Sequence, residues 1–120
     1  MRILVVEDDE FNRIMLTELI SMIYPGIEMD TASNGREALG KISAGRFSLV
    51  LSDVDMPDMN GEELVKAIRG DLELETPVIA ITAFVMPDVR EKLLLSGFTD
   101  YLSKPVEMDR LREVINRYIM

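Results

Sequence analysis

The feature that most constrains this chain is an alternation: five short strand candidates, the first a β-branched-rich apolar run and the second, over residues 27–32, weaker, take turns with stretches of helical periodicity. Arg2-Ile3-Leu4-Val5-Val6 is apolar at consecutive positions rather than every second one, which suits a strand buried on both faces. Further strands are expected over residues 27–32, 47–52, 77–81 and 98–102. Between the first two, Phe11, Met15, Leu19, Met22 and Ile23 recur at helical spacing until Pro25-Gly26 stops the helix. Asn34-Gly35 turns the chain into a second helix with Ala38, Leu39 and Ile42 on one face, ended by Gly45. Residues 62–69 direct Leu64, Val65 and Ile68 inward. Residues 85–96 read as a fourth helix whose first turn holds Pro87, where the missing N–H is not needed, with Gly97 as its cap. Residues 108–119 make the fifth, with Leu111, Val114, Ile115 and Tyr118 inside. Strands alternating with helices give a parallel sheet covered on both faces, and right-handed crossovers wind it doubly. The expectation is one α/β domain over residues 1–120.

Composition narrows the chemistry. The chain has neither cysteine nor histidine, which removes thiolate metal sites, cysteine nucleophiles, Ser-His-Asp triads and the usual zinc sites. A net charge of −9 makes nucleic acid a poor direct partner, because phosphate binding needs clustered Lys and Arg. The apolar runs are too short to cross a bilayer, and the N-terminus opens on a strand pattern. A cytoplasmic domain with no membrane partner is expected.

Sites on open parallel sheets form beyond the carboxyl ends of the strands. The first strand delivers Glu7, Asp8 and Asp9, the third Asp53, the fourth Thr82 and the fifth Lys104, just before Pro105. Two unit charges ~5 Å apart repel by roughly 3 kcal/mol at an effective dielectric near 20, so converging carboxylates call for a cation. Oxygen donors without His or Cys point to a hard one, magnesium first. Mg²⁺ and Lys104 together balance the formal charges of Glu7, Asp8 and Asp53. Asp9 and Glu10 fit a plainer role as acids at a helix start. A carboxylate such as Asp53 beside magnesium can attack phosphorus, and the reaction then needs positioning and neutralised equatorial oxygens more than a base. Thr82 offers a hydroxyl donor and Lys104 a point charge for those oxygens.

These residues carry a resemblance. Ile3-Leu4-Val5-Val6-Glu7-Asp8-Asp9 resembles the opening of bacterial response-regulator receiver domains. Leu49-Val50-Leu51-Ser52-Asp53-Val54-Asp55-Met56-Pro57-Asp58-Met59-Asn60-Gly61 resembles the stretch around their phosphorylated aspartate. Ala80-Ile81-Thr82-Ala83 and Asp100-Tyr101-Leu102-Ser103-Lys104-Pro105 are similar to their switch and Lys-Pro segments, and the stretch between them is closest to receivers of hybrid histidine kinases. The resemblance implies a CheY-like, flavodoxin-like sandwich with strand order 2-1-3-4-5. It implies Asp53 as phosphoryl acceptor, Asp8 as direct Mg²⁺ ligand, Glu7 as a ligand through water and the Asp55 carbonyl as a further one. Thr82 would bind the phosphoryl oxygen, Lys104 would contact the group, and Tyr101 would swing inward as Thr82 moves. The donor would be a phosphohistidine on a kinase or phosphotransfer domain. The domain would turn over no external substrate, and a phosphorylation-dependent dimer is a further expectation.

Glu7 stands where Asp is more usual in that family, and Asp55 and Phe84 occupy positions that tune phosphoryl lifetime; an acid and a bulky ring there predict a long-lived modification. The surface of the last two helices and fifth strand, with Phe84, Met86, Tyr101 and Val106, is the expected switch and partner face.

Asp53-Val54-Asp55 is also similar to the DxD motif of haloacid-dehalogenase-type phosphatases. Pro57, the internal position of the strand and the lack of an acidic pair after Lys104 count against that reading. A calcium loop starting at Asp53 would need Gly at Asp58 and Glu at Leu64. A flavin site would want a phosphate cradle where the first strand delivers acids.

Overall fold

A computed structural model of the chain describes residues 1–83 and 87–119. The expected strands form as β1 (Arg2–Val6), β2 (Glu28–Ala32), β3 (Leu49–Asp53), β4 (Val78–Thr82) and β5 (Asp100–Ser103). They pair in parallel in the order β2-β1-β3-β4-β5, as expected. Helices α1 (Glu10–Ile23), α2 (Gly35–Ala44), α3 (Gly61–Gly70), α4 (Val89–Ser96) and α5 (Met108–Ile119) connect and cover them.

The sheet separates two apolar layers. Alternate strand residues such as Leu4, Val6, Val50 and Ala80 pack with Leu64, Val65 and Ile68 of α3, with Ala38 and Ile42 of α2 and with Leu93 of α4. Their neighbours Ile3, Val5, Leu51 and Ile81 face the other way, onto Leu16 and Ile20 of α1 and Leu111, Val114 and Ile115 of α5. β1, β3 and β4 are covered on both sides, which is why their sequences read as unbroken apolar runs. No helix of the described residues is long and apolar enough to cross a membrane.

Of the residues that recur at helical spacing on α1, Phe11, Met15 and Met22 are exposed and Leu19 and Ile23 half-buried, while the buried residues are Leu16 and Ile20. Two apolar stripes on one helix both satisfy the helical period, and the layer beneath selects one. The fourth helix does not contain Pro87: Pro87 and Asp88 form a turn, and the helix begins at Val89 with Lys92 N–H donating to the Asp88 carbonyl at 3.2 Å. Residues 85 and 86, expected inside it, lie outside the described residues. Its end is as expected: Gly97, at φ 115°, adopts the left-handed conformation that closes the helix.

Candidate functional site

The carboxyl edge of the sheet is built from residues that leave consecutive strands. β1 ends at Val6, and the amide of the next residue, Glu7, still donates to the Ala32 carbonyl at 3.0 Å, so Glu7 is held in register and buried. Asp8 is exposed, and Asp9 caps α1 by accepting the Asn12 amide at 2.9 Å. Asp53 is the last residue of β3, opposite Ile81 of β4, and only 4% exposed. Thr82 closes β4 and is equally buried, with its carbonyl accepting the Lys104 amide at 2.9 Å. Lys104 leaves β5 and reaches over the end of β4. Its Nζ lies 3.1 Å from Asp53 Oδ2 and 3.8 Å from Glu7 Oε1. The Lys104–Pro105 peptide is cis.

The loop after Asp53 is drawn close by main-chain contacts. The Asp55 amide donates to Asp53 Oδ1 at 3.3 Å, and the Gly61 amide to the Val54 carbonyl at 3.0 Å. A Cβ on Gly61 would come within 2.5 Å of the Asp53 carbonyl oxygen, so only glycine lets α3 start this near β3. Asn60 and Glu63 complete a capping box that fixes that start.

Carboxylate oxygens of Glu7, Asp8 and Asp53 lie within 4.8 Å of one another. At such spacing each like pair repels by roughly 3 kcal/mol at an effective dielectric near 20. Burial first, and then the Asp53 carboxyl beside it, push the Glu7 pKa up; Lys104 and Asn12 oppose the shift. Burial lowers the Lys104 pKa, but the hydrogen bond to Asp53 and the charges of Asp53, Glu7 and Asp8 outweigh it and leave it raised. One ammonium therefore faces three acids. The donor set is all oxygen, which fits a hard divalent cation of the magnesium type better than a transition metal.

The fold thus brings together Glu7, Asp8, Asp53, Lys104 and the backbone of Asp55, with Thr82 at the adjoining strand end; the Asp55 side chain is exposed and outside the acidic trio. Tyr101 lies one step inside the edge, opposite Ala80, half-buried against the layer under α2, α3 and α4. Phe84 and Met86 lie outside the described residues. Val106, named with them, is half-buried against the α1 and α5 layer. Sequence reasoning missed three contributors. Gly61 is one. Asn12 donates to Glu7 Oε1 at 3.3 Å, and Arg13 to the Glu7 carbonyl at 2.9 Å. Their position at the start of a helix that follows the acids Glu7, Asp8 and Asp9 was the available signal.

The family model of the response regulator receiver domain matches residues 3–116. The chain belongs to that family. As a receiver it is 38% identical, over 118 residues, to the sensor histidine kinase RcsC of Escherichia coli; the alignment covers 98% of this chain and 12% of the kinase. The receiver thus spans about an eighth of the length of that relative. Among solved structures it superposes on the Vibrio cholerae chemotaxis protein CheY4 with a TM-score of 0.87 and 34% identity, covering 98% of this chain and 97% of that one. It also matches a chain in the co-crystal of the Saccharomyces cerevisiae histidine phosphotransfer protein Ypd1 with the receiver domain of its downstream response regulator Ssk1. There the TM-score is 0.90 and the identity 30%, over 99% of this chain and 88% of that one. The CheY-like fold and a place in two-component signalling follow.

Proposed function

We propose that this receiver takes a phosphoryl group onto Asp53 from a phosphohistidine of a histidine kinase or phosphotransfer protein. The observation that carries the reading is the buried strand-end Asp53, 3.1 Å from Lys104 Nζ and gathered with Glu7 and Asp8 within 4.8 Å. In the transfer, an Asp53 carboxylate oxygen forms the new P–O bond as the P–N bond breaks. The electron pair leaves with the imidazole nitrogen of the donor. Lys104 draws negative charge off the incoming group, and Thr82, at the neighbouring strand end, offers its hydroxyl to a phosphoryl oxygen. Bound magnesium, held by Asp8 and Asp53 directly, by Glu7 through water and by the Asp55 carbonyl, would neutralise the phosphoryl oxygens. The first turn of α1 and the backbone around Gly61 keep these groups in place.

The modification would be read by Thr82 moving toward the phosphoryl group and by Tyr101 turning inward to fill the space behind it. The domain acts once per phosphoryl group and turns over no external substrate. Asp55, exposed two residues after the acceptor, would repel an attacking water and lengthen the modified state. The acidic surface and the relatives, histidine kinases among them, suit a cytoplasmic protein working through protein partners. Acetyl phosphate with magnesium tests the acceptor. Intact-mass spectrometry should find one added phosphoryl group on the wild type and none on Asp53→Asn; equal labelling of both defeats the proposal.

A further inference from the structure

Glu7 is gripped more fully than a water-mediated ligand requires. Its amide is bonded to Ala32, and its carbonyl accepts from Arg13 Nη1 at 2.9 Å, so its main chain is fixed on both sides. Its carboxylate is one methylene longer than that of aspartate and has more rotamer freedom to lose on ordering. Beside it lies a cavity of about 350 Å³, walled by Met15, Leu16, Leu19 and Val106 and bordered by Asn12 and Lys104, so packing alone does not fix the direction of the side chain. Two contacts hold the carboxylate toward the trio: Asn12 Nδ2 donates to Glu7 Oε1 at 3.3 Å, and Lys104 Nζ lies 3.8 Å from the same oxygen. The main chain of Asn12 is fixed, because its backbone N–H donates to Asp9 Oδ2 at 2.9 Å.

The residue type suits the task. A lysine or arginine at position 12 would add a competing cation to the trio, and an aspartate would add a fourth repelling charge. An apolar residue would leave the carboxylate to the longer Lys104 contact alone. A neutral amide donor orients it without altering the charge balance, as hydrogen-bond partners of metal ligands do elsewhere.

We propose that Asn12 is a positioning residue for the cation. Its amide keeps the Glu7 carboxylate turned toward Asp8 and Asp53, and this bond sets the affinity of the site for magnesium. The inference rests on reading the trio as a metal site. Calorimetric titration of Mg²⁺ into the whole unphosphorylated chain tests it on the wild type, Asn12→Ala, Glu7→Asp and the double variant. Asn12→Ala should weaken binding about tenfold, in line with losses seen when a ligand's partner is removed. Its melting temperature in metal-free buffer should stay near that of the wild type, since the capped amide survives. In the Glu7→Asp background the same change should alter affinity less than about twofold, because the shorter carboxylate no longer reaches Asn12. An equal loss in both backgrounds assigns Asn12 a general structural role and overturns the inference, as does unchanged affinity in Asn12→Ala. Failure of the wild type to bind magnesium removes the metal reading underneath it, an outcome distinct from either.

Discussion

Asp53 and Asp100 are both acids buried in the sheet, and the chain surrounds them in opposite ways. Asp100, on β5, points to the α5 side. Its Oδ2 accepts from Arg117 at 2.7 Å and from the Tyr118 hydroxyl at 3.0 Å, and its Oδ1 from the Tyr101 amide at 2.8 Å. Every partner there is a donor, and the guanidinium sits at the solvent edge where it stays partly hydrated. Among the described residues, Asp53 has one ammonium, one long amide contact at 3.3 Å and two further acids for neighbours. A buried carboxylate with a full set of donors holds a strand to a helix. One packed against its own kind is held there by the fold at a loss of stability, which is how sites that bind charged ligands are commonly arranged.

The contrast predicts effects of opposite sign. The largest is at the satisfied acid. Asp100→Ala leaves Tyr118 and the Tyr101 amide without their acceptor and should destabilise the fold by about 3 kcal/mol, lowering Tm by roughly 10 °C in a thermal melt. A loss under about 1 kcal/mol would erase the distinction between the two acids. Next comes Gly61→Ala, which tests whether the Asp53 end is held by backbone approach. The added methyl would sit 2.5 Å from the Asp53 carbonyl oxygen, and a cost of about 2 kcal/mol is expected in urea titration, with amide shifts concentrated between residues 53 and 61.

Smaller and reversed in sign is Asp53→Asn. Without magnesium it relieves repulsion from Glu7 and Asp8 while leaving Glu7 for Lys104, so the variant should gain about 1 kcal/mol. Destabilisation like that at Asp100 would show that Asp53 is as well compensated as its counterpart. Magnesium should then separate the two proteins. Adding it in excess should raise Tm of the wild type and leave Asp53→Asn nearly unmoved, since a ligand stabilises only the state that binds it. Tyr118→Phe, which removes one of the donors to Asp100, should cost about 1 kcal/mol and sharpen the accounting at the structural site.

Much of the fold was legible because the three central strands, β1, β3 and β4, announce themselves twice, by an apolar run and by the polar residues that end it. Val6 gives way to acids, Leu51 to Ser52 and Asp53, and Ile81 to Thr82. Strand ends in a parallel sheet share one edge, so chain order alone gathered Glu7, Asp8, Asp53, Thr82 and Lys104. The rest depended on three-dimensional neighbours. Phe11, Met15 and Met22 have the helical period but face outward, because Leu16 and Ile20 meet β1, β3 and α5 instead. Pro87 can occupy a helix start or the turn before it, and spacing does not choose. The closeness of Gly61 to the Asp53 carbonyl joins residues eight apart across a loop that periodicity does not describe. Asp100 looked like part of the segment before Lys104, and its pairing with Arg117 and Tyr118 appears only once α5 lies against β5.

The most direct test is chemical trapping of the acceptor. Treatment with acetyl phosphate and magnesium, then borohydride reduction and peptide mass spectrometry, converts an acyl phosphate to an alcohol at the residue that carried it. The account predicts the mark at position 53, on Asp53, and its loss when magnesium is chelated beforehand. A mark at Asp8, Asp55 or Asp100, or at Asp53 irrespective of magnesium, would contradict it.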